Sequence, residues 1–356
     1  MMSPLKSVTI GQPFRCVEER ADDALIALDA PLVICANDPP WTSFWQSMST
    51  RVDAAVTVVD AWNMDLDHLT QRSAALAERD IVVAATVVGF GGGTALDTAK
   101  FIAWKLGRPL VQVPTITSVD AGFTDAIGIR DNGKVRYIGN IVPDKVVLDV
   151  DLIRSAPKRL NRAGIGDILS CHTGLFDWKL ATAAGHGHAW DPALATLAAT
   201  LLAELEAAAA DVAAVTAEGV RFLADAYRRI GAACAYAGHS RFEEGSEHFW
   251  AYAYEHATAA HPVHGEIIAF AVCALAHVQS NDPDRARRIV ATSRARAHPR
   301  DLDIAEEHFR SCLLGLSAYA RAERLDMTIA DLRPITEAQT DSAWKFVCTL
   351  PRRRDD

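Results

Sequence analysis

Val87-Val88-Gly89-Phe90-Gly91-Gly92-Gly93-Thr94-Ala95-Leu96-Asp97-Thr98-Ala99-Lys100 is an apolar run that meets four glycines and continues with helical spacing. A strand therefore hands over to a helix through a turn that carries almost no side chains. Glycine lets backbone amides approach a phosphate closely, and the first turn of the helix adds partial positive charge. Gly91, Gly92 and Gly93 thus suit a pyrophosphate; the plainer reading is a tight strand-to-helix turn with no ligand, which rarely needs three consecutive glycines. The spacing is not G-x-G-x-x-G, and the Lys-Ser/Thr ending of a triphosphate loop is missing.

Outward from this turn, short β-branched runs alternate with helical stretches: PLVICAND from 31, AAVTVVD from 54, IVVAATVVG from 81 and PLVQVPT from 109. Strands separated by helices imply a parallel sheet covered on both faces. DAIGIR and KVRYIG flank Asp131-Asn132-Gly133, a turn that joins two strands as a hairpin, and KVVLDV reads as a further strand. After Pro157 strand signals nearly vanish, and alanine- and leucine-rich segments such as 193–214 and 217–238 read as long helices. The expected architecture is a Rossmann-like α/β domain over residues 1–155 and an all-α domain over 156–356. With no long linker between them, the cleft between the two is the natural place for a site.

The 356 residues are 50% hydrophobic and 23% charged, enough for one large core or two smaller ones. A net charge of −9 without any long basic block argues against nucleic acid and anionic membrane as partners. No segment reaches the roughly 18 uninterrupted apolar residues of a membrane span, and the first residues lack the pattern of a secretory signal. Seven cysteines, odd in number and without a C-x-x-C pair, fit free thiols in a reducing cytoplasm.

Two further groups of residues carry chemistry. Gly164-Ile165-Gly166-Asp167, Gly245-Ser246-Glu247-His248 and His261-Pro262-Val263-His264-Gly265-Glu266 offer a carboxylate and imidazoles from three separate helices. Such a mixed oxygen and nitrogen set suits Zn²⁺ with one position left open. By spacing alone, each histidine is more often a surface or satisfied core residue than a ligand. Thr115, Ser118 and Asp120 lie in a polar loop leaving the strand LVQVP, where loops of a parallel sheet face the ligand crevice; Ser and Asp could equally be caps there.

Together, GFGGGTALDTAK, VPTITSVDAG, APKRLNRAGIGDILSCHTGLFDWKLA (156–181), GSEHF and HPVHGE resemble the polyol-dehydrogenase branch of the iron-containing alcohol dehydrogenase and dehydroquinate synthase superfamily. The glycerol-1-phosphate dehydrogenase and glycerol dehydrogenase families are the most similar, over about residues 32–264. The resemblance implies Asp167, His248 and His264 as ligands of Zn²⁺, with Fe²⁺ or Ni²⁺ as alternatives. It implies Gly91, Gly92, Gly93 and Asp97 as the cofactor diphosphate loop and its helix, and Thr115 and Ser118 as neighbours of nicotinamide and ribose. Asp120 matches an aspartate near the substrate. Asp38, or Asn37 if the register slips by one, falls at the end of the first dinucleotide strand, where a carboxylate favours NAD over NADP.

The implied activity is metal-dependent, NAD(P)-linked oxidation of a polyol, or reduction of a hydroxyketone such as dihydroxyacetone phosphate. The implied setting is cytoplasmic, and relatives of this kind are often homo-oligomers. Two features depart from the phosphate-using pattern: Ala121 where glycine is common, and Tyr252 where a second histidine is common. Lys134, Arg136, Lys145, Lys158, Arg159 and Arg162 could supply a phosphate partner. A sugar-phosphate cyclase is the alternative within the same fold, but Val119-Asp120-Ala121-Gly122-Phe123-Thr124 lacks the Gly-Gly-Lys-Thr of that class. A non-catalytic nucleotide-binding protein is the other alternative.

Overall fold

The computed structural model describes residues 14–353 except 29 and 53. Six strands form one parallel sheet: β1 (Arg15–Glu18), β2 (Leu32–Ala36), β3 (Val56–Asp60), β4 (Thr86–Gly91), β5 (Leu110–Pro114) and β8 (Lys145–Leu148). Their spatial order is β1-β8-β5-β4-β2-β3. β2, β4 and β5 are buried along their whole length, which is why they read as unbroken apolar runs. β3 is an edge strand, and it leaves Val58 49% exposed. β6 (Ala126–Asp131) and β7 (Lys134–Asn140) pair antiparallel as a separate hairpin. Its turn places both Asn132 (φ 51°) and Gly133 (φ 72°) in the left-handed region, as the Asp-Asn-Gly sequence predicts.

Two strand expectations need correction. Residues 80–84 form a short 3₁₀ turn, and β4 starts only at Thr86. The neighbouring strands begin opposite Thr86 and Val87, after Pro31 and Pro109, so the earlier residues have no ladder to join. β1 carries no clear sequence signal, being four residues of mixed polarity added beside β8.

The chain runs from β2 outward to β3, returns to the other side of β2 as β4, and continues to β5 and β8. The strand order therefore reverses between β2 and β4, and the crevice at their carboxyl ends is where open α/β sheets bind ligands. Two helices border it: α1 (Pro40–Met48) follows β2, and α2 (Gly93–Leu106) follows β4.

Among the described residues every strand precedes Asp149, and helices make up most of the remainder. Those used below are α3 (Ile165–Leu169), α4 (Cys171–Ala183), α5 (Pro192–Ala214), α6 (Ala217–Ala237), α7 (Ser246–Thr258) and α8 (His264–Gln279). α8 is buried from Gly265 to Ala276, as expected of a helix that is apolar on every face. α5 is long and apolar enough to cross a membrane by length and composition. Glu204, Glu206 and Asp211 interrupt it, and its Leu194, Ala198, Leu201 and Leu205 pack into the helical core. That core also takes in Phe123, Val146 and Leu148 from the sheet half, so the two halves share one hydrophobic cluster along the β8 side.

Candidate active site

A cleft of about 1830 Å³ runs between the carboxyl ends of the strands and the helical half. Gly91, Gly92, Gly93, Asp97, Asp38, Thr115, Ser118, Asp120, Asp167, His248 and His264, all singled out from sequence, line it.

The glycine turn forms the sheet side of the cleft. Gly91 has φ +151°, where L side chains are rarely found, and a Cβ there would sit 2.8 Å from Ala95 Cβ. Gly93 opens α2, so the free amides of the helix N-terminus face the cleft. Thr115 is buried, and its amide donates to the Gly91 carbonyl at 3.0 Å, tying the polar loop to the turn. Asp97 stands one turn into α2, where its carboxylate pairs with buried Lys100 at 2.7 Å. Burial raises the Asp97 pKa and Lys100 works against that rise. Asp38 Oδ1 accepts from both the amide (3.0 Å) and the hydroxyl (2.6 Å) of Thr42 in α1, which fixes the carboxylate at the end of β2. The adjacent Asn37 also lines the cleft, and its side-chain oxygen is buried without a partner.

The opposite side is made from three helices. α3 and α8 touch through glycines: a Cβ on Gly166 would lie 2.5 Å from Gly265 Cα, and one on Gly265 would lie 2.0 Å from the Ala163 carbonyl oxygen. Each glycine adjoins a candidate ligand, so this backbone contact is what brings Asp167 to His264. His264 Nε2 lies 3.3 Å and His248 Nε2 3.9 Å from Asp167 Oδ1. One donor atom from each of the three residues lies within 4.8 Å of the others.

Second contacts orient these donors. The Asp120 amide donates to Asp167 Oδ2 at 3.0 Å, which leaves Oδ1 buried and without a hydrogen-bond partner. His248 Nδ1 lies 3.0 Å from Glu247 Oε1, and that oxygen also accepts from the Gly245 amide at 2.7 Å. A carboxylate on one ring nitrogen sets the tautomer that turns the other toward a cation. Fully buried Asp177 anchors the start of α7 by accepting from the Ser246 amide at 2.8 Å.

The electrostatics follow from burial and crowding. Burial opposes charge on Asp167, but His264, His248 and the Asp120 amide outweigh it and hold its pKa below the ordinary value. Burial likewise opposes charge on His248, yet Glu247, Glu244 and Asp167 push it up to about 9. Burial and the Asp167 charge push Asp120 up to about 8. An orphaned carboxylate oxygen between two imidazoles, in a site this rich in negative charge, fits a divalent cation.

Glu247, Asp177, Glu243, Glu244 and Tyr137 belong to the site although sequence reading did not assign them roles. The run Arg241-Phe242-Glu243-Glu244-Gly245-Ser246-Glu247-His248 was the available signal, since three acids crowd within five residues of a candidate ligand. The six basic residues considered as phosphate partners are placed elsewhere. Lys134 and Arg136 pair with Glu323, Lys145 with Glu19 and Arg159 with Glu266. Arg162 is buried and donates to the Ala213 carbonyl, and Lys158 is exposed on its own helix. None of the six lines the cleft.

The loop between β5 and β6 is fastened to the helical half. The Thr117 amide donates to Asn161 Oδ1 at 3.0 Å, and the Tyr227 hydroxyl is within hydrogen-bond distance of the Thr117 (2.9 Å) and Gly164 (2.6 Å) carbonyls.

Known proteins resemble this chain in sequence and in fold. Residues 31–157 match the family model described as iron-containing alcohol dehydrogenase. A glycerol-1-phosphate dehydrogenase (NAD(P)+) of Hyperthermus butylicus is 30% identical over 221 residues, 62% of this chain and 63% of that protein. The protein of the same name from Aeropyrum pernix is 29% identical over 238 residues, 67% of each chain. The chain thus aligns with about three fifths to two thirds of the length of these relatives. The crystal structure of a probable glycerol dehydrogenase from Sinorhizobium meliloti 1021 superposes with a TM-score of 0.72 at 19% identity, covering 95% of this chain and 97% of that one, and so shares its fold.

Proposed function

Because this chain is related in sequence and in fold to the iron-containing alcohol dehydrogenases, we propose that it is a metal-dependent, NAD(P)-linked oxidoreductase acting on a CH–OH group. Its substrate is a polyol, the corresponding hydroxyketone, or a phosphate of either. The observation that carries this reading is the orphaned Asp167 Oδ1 between two imidazoles, across one cleft from a glycine turn built for a diphosphate.

In this reading Asp167, His248 and His264 hold the cation, with zinc the ion best suited to one carboxylate and two imidazoles. When bound, the cation would supply Lewis acidity toward an alcohol or ketone oxygen, and a nicotinamide would supply hydride-transfer chemistry. The chain's residues do the rest. The glycine turn and the start of α2 would hold the diphosphate, and Thr115 and Ser118, which line the same cleft, would contact the rest of the cofactor. Glu247 would keep the proton on His248 Nδ1 while a cation displaces the one on Nε2. Asp120 locks Asp167 through its amide, and its own carboxyl stands in the cleft where it can exchange the proton of the reacting hydroxyl. Asp38 at the end of β2 favours NAD, because a 2′-phosphate would meet its carboxylate. We place the activity in the cytoplasm and expect a homo-oligomer.

The test is reduction of NAD⁺ and NADP⁺ by the zinc-loaded protein with glycerol, sn-glycerol 1-phosphate and other polyols, each beside a chelated control. Chelator-sensitive reduction that is absent from Asp167→Ala is the expected result. Activity that survives both chelation and Asp167→Ala overturns the metal assignment.

A further inference from the structure

The two halves of the chain meet along two seams of different chemistry. At β8 and the β5–β6 loop the seam is apolar and buried. Phe123, Val146 and Leu148 share the helical core there, and the buried Asn161 and Tyr227 bind the loop. The second seam is the β6–β7 hairpin against α7 and the helix Leu316–Glu323.

The hairpin itself belongs to the sheet half. Ile127 and Ile129 pack with Leu69 of the helix Leu66–Ala77 and Phe101 of α2. A Cβ on Gly139 would lie 2.6 Å from the Trp104 ring, and buried Lys100 donates to the Ala126 carbonyl. The Arg130 amide donates to the Met64 carbonyl at 2.8 Å.

Toward the helical half the same hairpin presents charge. Arg130 pairs with Glu255 of α7 at 2.8 Å, Lys134 pairs with Glu323 Oε1 at 2.6 Å, and Arg136 reaches the other oxygen of Glu323. The Tyr137 hydroxyl stands 3.1 Å from that of Tyr252, and Val135 adds an apolar contact with the helical core. Both glutamate side chains are buried, so each depends on its hairpin partners. Glu323 is also the last residue of its helix, where the dipole is negative, and the bond from Lys134 with help from Arg136 holds its pKa below the ordinary value against burial. Arg130, Tyr137, Tyr252 and Glu255 line the cleft, so this seam forms part of its wall.

Salt weakens ion pairs and leaves apolar contacts standing. We propose that the hairpin seam is an ionic latch: the halves hinge at the apolar β8 seam, and the cleft opens when Arg130 parts from Glu255 and Lys134 and Arg136 part from Glu323. Ionic strength then sets how often a ligand can enter or leave. The latch does not depend on which reaction the cleft carries out.

Three free cysteines report on it. Cys234 lines the cleft, Cys348 is exposed, and Cys273 is fully buried in α8. The experiment is labelling of the intact protein with uncharged N-ethylmaleimide, with mass spectrometry reading the rate at each thiol. Raising salt from about 0.1 M to about 1 M, which shortens the Debye length from about 10 Å to about 3 Å, should speed Cys234 relative to Cys348 about fivefold. At low salt Glu323→Lys should give a similar rise and Glu323→Gln a smaller one, with Cys273 still protected. Glu337→Gln, which breaks an ion pair with Arg310 inside the helical half, should change nothing. Cys234 labelling that ignores salt and both Glu323 variants overturns the latch. So does an equal rise in Glu337→Gln, or Cys273 labelling that climbs in step with Cys234, the mark of unfolding rather than of parting halves. The salt titration needs no variant, so a Glu323 variant that fails to fold leaves the latch open to refutation.

Discussion

The two walls of the cleft are built by different means. The sheet-side wall, the candidate cofactor wall, is backbone: a glycine turn, a helix N-terminus and a loop hung from a carbonyl, with few side chains spent. The opposite wall is side chain: three candidate ligands whose positions depend on a glycine contact, a buried glutamate and a capping aspartate. A backbone wall recognises a group common to many cofactors and tolerates changes in the residues around it. A side-chain wall is specific and fails when one member is lost.

The largest effect should come from breaking the second wall alone. Asp167→Ala and His248→Ala are expected to abolish metal binding and turnover while nicotinamide cofactor binding persists, which metal analysis and NADH fluorescence titration would check. Loss of cofactor binding in both would show that the walls are not separable. Glu247→Gln is a finer cut. It removes the charge that orients His248 and should weaken zinc affinity about 10–100-fold, read by competition with a chromogenic chelator.

The converse substitution, Gly91→Val, forces a β-branched residue to φ +151° against Ala95. Its KM for the cofactor should rise about tenfold with zinc content unchanged, since misplacing a binding group by about an ångström is enough for that. Asp38→Ala should have the smallest effect. It deletes two bonds to Thr42, costing about 1 kcal/mol on thermal or urea denaturation, and it should raise the NADP to NAD activity ratio. An unchanged ratio would move cofactor choice to the neighbouring Asn37.

Much of this contrast was legible before the structure. Backbone-built parts announce themselves by glycine and by local apolar runs, so the turn at Gly91–Gly93, the central strands and the Asp131-Asn132-Gly133 hairpin could be read directly. Asp167, His248 and His264 could not be joined by spacing, because the contact uniting two of them is a meeting of Gly166 and Gly265 some 100 residues apart in sequence. Resemblance to a family supplied that pairing. Glu247 and Asp177 stayed hidden for a physical reason. A buried carboxylate that satisfies backbone amides looks in sequence like any helix-surface acid, and only its partners reveal it. Likewise, the basic residues near 134–162 looked available for a phosphate until Glu323, Glu19 and Glu266 were seen to hold four of them.

The fastening of the β5–β6 loop has a consequence for motion. Thr117 is bonded to Asn161, Tyr227 reaches the Thr117 and Gly164 carbonyls, and Asp120 is bonded to Asp167, while Thr115 is held by the Gly91 carbonyl, so the loop clamps the helices to the sheet it leaves. β8 joins both sides, with Val146 and Leu148 in the helical core and Val147 packed with β2, β4 and β5. A loop held from both sides opens only when the two halves part, so amide hydrogens at Thr117 and Asp120 should exchange as slowly as those in the middle of α8.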